Sequence, residues 1–148
     1  MKPMLTIVRG HPGSGKTTWA RAEAARTGAR QIEADDWRYP GSGRYLWSAE
    51  TDRLAHDWTA LEALRWLRQD VPVIVANTFT KRADVERLEA ICGKARRIVR
   101  LKGRFPNSHG VPEKFVLQCI EGYEPIEGEV VVIPPNCPPS LAPTRQVP

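Results

Sequence analysis

The chain has 148 residues, 41% of them hydrophobic, enough for the core of one domain of ordinary size. Lys and Arg number 22 against 17 Asp and Glu, and the resulting charge of +5 and pI near 9.4 favour a polyanionic partner such as nucleic acid. A membrane-spanning chain is excluded because no window approaches roughly 18 consecutive apolar residues, and Met1–Val8 runs into a glycine loop where a signal peptide would have its cleavage site. Cys92, Cys119 and Cys137 lack metal-ligand spacing, so reduced thiols in a cytoplasmic protein are expected.

Leu5–Val8 reads as a short buried strand that Gly10 ends. Thr17 to about Thr27, rich in Ala and Arg, reads as a helix with Gly28 as its stop. Gln31–Ala34 forms a second strand, followed by a polar and aromatic segment from Asp35 to Trp47 with a loop at Pro40–Gly43. Ser48 starts the longest helical pattern, where Leu54, Trp58, Leu61, Leu64 and Leu67 recur at three- and four-residue steps. Trp58 and Trp66 of that helix are expected in the core. Val71–Ala76 is a near-continuous apolar run, as in a central parallel strand buried on both faces. A helix over 82–92 stops at Gly93, and Arg97–Leu101 makes a basic strand. Pro112 opens a helix running to about Glu121, and Glu129–Ile133 is a last strand. The domain therefore spans 1–133. The prolines from Pro134 onward suit neither helix nor sheet interior, so 134–148 reads as an extended or disordered tail. Alternating strands and helices predict an α/β fold in three layers, a central parallel sheet with helices on both faces. Its ligands bind beyond the carboxyl ends of the strands.

Gly10-His11-Pro12-Gly13-Ser14-Gly15-Lys16-Thr17 matches G-x-x-x-x-G-K-[ST] between a strand and a helix. The glycines let backbone N–H groups turn inward around a phosphate, and the following helix adds its positive end. Lys16 reaches the β- and γ-phosphates, and the Thr17 hydroxyl coordinates Mg²⁺. Gly10, Gly13, Ser14, Gly15, Lys16, Thr17 and Thr18 are the expected contacts for ATP, while His11 and Pro12 only shape the loop. Without a guanine-specific Asn-Lys-x-Asp motif, a small kinase with a P-loop kinase fold is the simplest class at this length.

Asp35-Asp36-Trp37-Arg38 follows the second strand on the same rim. A carboxylate there can orient and deprotonate a hydroxyl acceptor, and an Arg can bind the acceptor's own phosphate. Alternatively, Asp35 merely caps a helix. Leu5–Ala20 and Ala34–Arg38 resemble the kinase domain of the phage polynucleotide kinase family. That resemblance implies Asp35 as general base toward a 5′-hydroxyl and Arg38 as the group that binds the acceptor's 3′-phosphate. Val73–Thr78 is similar to the family's strand ending in an Asp/Asn-Thr pair, which places Asn77 and Thr78 at the acceptor pocket. Asn107–Pro112 resembles a segment that marks the lid in relatives. The resemblance implies a lid Arg at the transferring phosphoryl group, with Arg104 the nearest and Arg100 and Lys102 as alternates. Two positions depart from the pattern. Ala76 stands where many relatives carry Asp, which leaves the metal to Thr17, ATP oxygens, water and Asp36; Phe79 stands where Asn is frequent.

Lys94, Arg96, Arg97, Arg100, Lys102 and Arg104 form a basic stretch. It suits a basic lid that stabilises phosphoryl charge, a nucleic-acid backbone contact, or a solvated strand edge. Trp37, Tyr39, Tyr45 and Trp47 flank the acceptor motif, where they stack on an unpaired base or pin the loop. His56 and His109 are expected to be structural, and Cys92 and Cys119 to be packing residues. The expected function is an ATP-dependent kinase acting on a hydroxyl of nucleic acid, either the 5′-hydroxyl of DNA or RNA or the hydroxymethyl group of a modified base. The alternatives are a nucleoside or sugar kinase and a nucleotide-gated binding module, the latter favoured by Ala76.

Overall fold

The computed structural model describes residues 4–38, 49–106 and 110–135, without the side chains of Trp37 and Arg38. In chain order the elements are β1 (Leu5–Gly10), α1 (Lys16–Thr27), β2 (Arg30–Glu33), α2 (Ala34–Arg38), α3 (Ala49–Leu67), β3 (Val73–Asn77), α4 (Arg82–Cys92), β4 (Arg97–Leu101), α5 (Glu113–Glu121) and β5 (Val130–Val132). The five strands are all parallel, in the order β2-β3-β1-β4-β5. All their carboxyl ends therefore meet at one edge.

Alternation along each strand divides the core into two layers. Leu5 and Ile7 of β1 and Val73 and Val75 of β3 pack with Ala60, Ala63 and Leu67 of α3 and Val85 and Leu88 of α4. Val8, Ile74, Ala76, Val99 and Leu101 face the other way, onto Ala20 and Trp19 of α1. Every residue of β3 is buried, which explains its apolar run. Burying a side chain such as Ile7 or Val75 contributes about 1.5–3 kcal/mol. Gly28 ends α1 at φ 77°, and its N–H closes on the Ala24 carbonyl.

Two features differ from the sequence pattern. The polar Asp35–Arg38 segment, to which the pattern assigned no element, forms the short helix α2, packed on α3. Helix α3 also turns a different face inward: Ala55, Thr59, Ala60, Ala63 and Leu67 are buried, while Leu54 and Leu61 are 43% and 64% exposed. A helix lying close on a sheet needs small residues along its seam. The large residues one position away mark its flank. Trp58 only partly enters the core. Trp66 is covered by the guanidinium groups of Arg30 and Arg65, 4.2 and 4.7 Å from the ring centroid, and donates its Nε1–H to Glu62.

Arg9, the last β1 residue before the phosphate motif, is fully buried. It donates to the Phe79, Thr80 and Glu124 carbonyls and pairs with Glu129 at 3.2 Å. Arg9 and its register partner Arg100 both lie over the Tyr123 ring, at 4.9 and 4.4 Å from its centroid. The Tyr123 hydroxyl donates to the Thr78 carbonyl. This buried network ties the strand before the phosphate motif to the segment that follows β3. Phe79 itself has φ 43°, a left-handed conformation that an aromatic residue rarely takes. Its carbonyl is held by two Arg9 hydrogen bonds.

Candidate active site

The phosphate motif forms the turn between β1 and α1. A Cβ added at Gly10 would fall 2.2 Å from Ser14 Oγ, so no larger residue fits there. Gly15 caps α1 at φ 94°, in the region that favours glycine. The loop is clamped from outside by the chain that follows β4. Gly103 N–H donates to the Ser14 carbonyl at 3.0 Å, and Phe105 N–H donates to the Gly13 carbonyl at 2.7 Å. His11 completes the clamp, with Nε2 2.6 Å from the Gly103 carbonyl. A carbonyl only accepts, so Nε2 carries the proton of a neutral imidazole. Burial pushes the His11 pKa down to about 4, helped by the positive charges of Lys16, Arg104 and Arg100 and opposed by the Gly103 bond. His11 thus fastens the loop as well as shaping it. Pro134, assigned by sequence to the tail, packs on Gly15 and Gly103.

Behind the loop, Thr17 Oγ1 donates to Glu33 Oε2 at 3.2 Å, and Gln31 Nε2 donates to Glu33 Oε1 at 3.0 Å. Burial raises the Glu33 pKa, while Gln31, Thr17 and the charge of Lys16 oppose it. Thr17 and Glu33 offer hard oxygen donors of the kind Mg²⁺ prefers. That ion takes one or two protein oxygens and fills its shell with phosphates and water. The residues present therefore fit the metal, although among the described residues no three His, Cys, Asp or Glu side chains group into a cage.

A cleft of about 880 Å³ runs from this loop across the carboxyl edge of the sheet. Gly13–Thr18 line its phosphate end; Asp35, Ala76, Asn77 and Thr78 line the other. Asp35 reaches the cleft because β2 ends at Glu33 and α2 begins at once. Asn77 Oδ1 accepts the Ala34 N–H at 2.8 Å, which fixes the amide orientation. Its Nδ2 is buried and has no hydrogen-bond partner among the described residues, and the same holds for Ser14 Oγ. A buried polar atom left unpaired is costly, and two of them on one cleft indicate a missing ligand.

Helix α3 adds residues that the sequence pattern did not bring to the site. Asp52 and His56, one turn apart, line the cleft, with His56 Nε2 3.7 Å from Asp52 Oδ1. The His56 ring lies against Phe79, centroids 6.2 Å apart. Their i,i+4 spacing was visible in the sequence; which helix face meets the cleft was not. Pro134, Pro135, Phe105, Val132 and Trp19 line the cleft as well, an apolar group suited to a nucleobase.

Other expected site residues fall outside the cleft wall. Asp36 accepts the Glu33 N–H at 3.1 Å and is not among the lining residues; burial raises its pKa, with the Asp35 charge adding to the effect. Arg104 pairs with Glu113 at the start of α5. Two residues of the basic stretch lie on opposite faces of the sheet: Arg97 pairs with Glu23 at 3.0 Å beside Trp19, while Arg100 lies over Tyr123. Burial lowers the Arg100 pKa. Alternation along β4 separates these two charges. The side chains of Trp37 and Arg38 lie outside the described residues, as do Tyr39, Tyr45, Trp47 and His109.

Residues 5–102 match the model of an AAA domain, AAA_33. The chain belongs to this AAA domain family. The protein PM0531 of Pasteurella multocida (strain Pm70) is 28% identical over 97% of this chain and 89% of its own length. The AAA domain superposes on a gluconokinase from Sinorhizobium meliloti 1021 with a TM-score of 0.66 at 21% identity, covering 89% of this chain and 83% of that one. A chain of the Pnkp1/Rnl/Hen1 complex gives a TM-score of 0.55 at 23% identity, covering 78% of this chain and 38% of that one. At these identities the likeness is one of fold, a P-loop kinase fold. Among the described residues, no helix is long and apolar enough to cross a membrane.

Proposed function

We propose that the protein transfers the γ-phosphoryl group of ATP to a hydroxyl of a compact, polar acceptor. The observation that carries this reading is the single cleft that joins Lys16 and Thr17 at one end to Asp35 and Asn77 at the other. The Gly13–Thr18 amides and Lys16 hold the β- and γ-phosphates, and the apolar end around Phe105 and Pro134 covers the base. Mg²⁺, when bound at Thr17, offsets the charge on the phosphate oxygens. Asp35 takes the acceptor proton as the oxygen bonds to the γ-phosphorus, and the bond to the bridging oxygen breaks to release ADP. Asn77 Nδ2 donates to the acceptor. Arg104 becomes the lid residue when it leaves Glu113, and Arg38 is the candidate for binding a phosphate of the acceptor.

The wall of the cleft supports this acceptor class. Asp35, Asp52, His56, Asn77 and Thr78 offer carboxylates, an imidazole, an amide and a hydroxyl, which suit the several hydroxyls of a sugar, sugar acid or nucleoside. Arg97 and Arg100 of the basic stretch lie on opposite faces of the sheet and share no one contact surface. A second reading, a 5′-hydroxyl nucleic-acid end, is favoured by Asp35-Asp36-Trp37-Arg38 and by the fold shared with the Pnkp1 complex. Label transfer from γ-labelled ATP to gluconate, ribose, nucleosides and 5′-hydroxyl oligonucleotides separates the two. Label on monomers, insensitive to salt, supports the first reading. Label on oligonucleotides alone, weakening steeply with salt, replaces it with the second.

A further inference from the structure

The register of the sheet sets Glu33 directly beside Ala76 on the neighbouring strand. Residues paired across parallel strands project from the same face, and Ala76 packs on the α1 side with Val8 and Ala20. The Glu33 carboxylate therefore emerges beneath the first turn of α1, where it accepts the Thr17 hydroxyl at 3.2 Å. Its second oxygen is fixed by Gln31 at 3.0 Å. Glu33 is 8% exposed, and among the described residues no Lys or Arg forms an ion pair with it. A buried carboxylate whose hydrogen bonds come from neutral donors is costly in an empty fold; the charge of Lys16 offsets part of that cost, and a divalent cation held at Thr17 would offset more. By donating its proton to Glu33, Thr17 turns its oxygen lone pairs toward the cleft, which is how an outer carboxylate orients a metal-bound hydroxyl.

We infer that Glu33 is the positioning carboxylate of the Mg²⁺ site, supplying from β2 what the alanine at position 76 of β3 does not. It orients Thr17 Oγ1 toward the ion and accepts a hydrogen bond from water in the ion's shell. The inference rests on reading the cleft as a Mg²⁺–nucleotide site, and it is independent of which acceptor is used. Ala76 lines the cleft beside Glu33, so an aspartate there would place a carboxylate on the same side of the sheet.

Calorimetric titration with ADP, in Mg²⁺ and in EDTA, tests this on the full chain. The variants are Glu33→Ala, Ala76→Asp and the double variant. Mg²⁺ tightens ADP binding to the wild type, and Glu33→Ala is expected to cut that enhancement by about ten- to a hundredfold. Affinity in EDTA and the melting temperature stay close to wild type, and the double variant regains the enhancement. An unchanged enhancement in Glu33→Ala overturns the inference. So does an equal loss with and without Mg²⁺, which is the mark of a merely structural residue, and so does failure of Ala76→Asp to restore a folded Glu33→Ala protein. If the wild type binds ADP in neither condition, the nucleotide-site reading itself falls, and the inference with it.

Discussion

At the phosphate end of the cleft, one run from Gly10 to Thr17 supplies the loop, the lysine and the Thr17 hydroxyl. Along the rest of the cleft wall, Asp35 comes from α2, Asp52 and His56 from α3, and Asn77 and Thr78 from the end of β3 and the residue after it. The first end is a local structure: glycine geometry fixes its shape, and the chain after β4 clamps it in place. The second is a tertiary structure that exists only once α2 and α3 have docked on the sheet. A binding loop made from consecutive residues tolerates a changing scaffold, whereas a composite pocket changes with every element that builds it.

The sharpest way to break this contrast is at Lys16. Lys16→Met is expected to lower kcat/KM for ATP by about 10²–10³-fold, while the melting temperature stays near wild type, because the loop is held by backbone bonds. A matching loss of stability would show that the phosphate end is not self-contained. Arg9→Met probes the link between the two ends. It removes the Phe79, Thr80 and Glu124 contacts and strands Glu129. Urea unfolding should show a loss of about 3–5 kcal/mol; a loss near zero would mean that the ends are held independently.

His11 gives a pH-dependent effect at the clamp. An unfolded histidine titrates near 6.5 and this one near 4, so the unfolded chain binds the proton first. Stability is therefore lost as pH falls from above 6.5 toward 4, by up to about 3 kcal/mol. His11→Gln keeps a donor for Gly103 and should flatten that part of the urea-unfolding profile; an unchanged profile would place the titrating group elsewhere. The smallest expected effect lies on α3. Leu61→Gln should change stability by less than about 0.5 kcal/mol, whereas Ala63→Leu, at the seam, should cost about 1–3 kcal/mol by overpacking. Equal effects would restore the leucine face as the buried one.

These contrasts also mark what was legible in the sequence. Strand positions, the stops at Gly28 and Gly93 and the parallel α/β architecture follow from hydrophobic runs and punctuation, which are local. The phosphate motif carries its own geometry and needs no partner to be recognised. Glu33 was hidden because a carboxylate ending an apolar strand looks like a boundary residue, until the register sets it beside Ala76. Arg9 was hidden because a buried arginine is rare and its acceptors are carbonyls 70 or more residues away. On α3, leucine spacing outweighed the alanine seam, since periodicity shows that a helix has a face but not how closely that face packs. Within the basic stretch, Arg97 and Arg100 are near neighbours in sequence and lie on opposite faces of the sheet, because β4 alternates.

The central claim is that Asp35 serves the hydroxyl and not the nucleotide. ATP affinity and single-turnover transfer of the γ-phosphoryl group, measured on the same preparations of wild type and Asp35→Asn, test it most directly. The expected result is unchanged ATP affinity with transfer slowed by about 10²–10⁴-fold. Transfer at the wild-type rate in Asp35→Asn would contradict it.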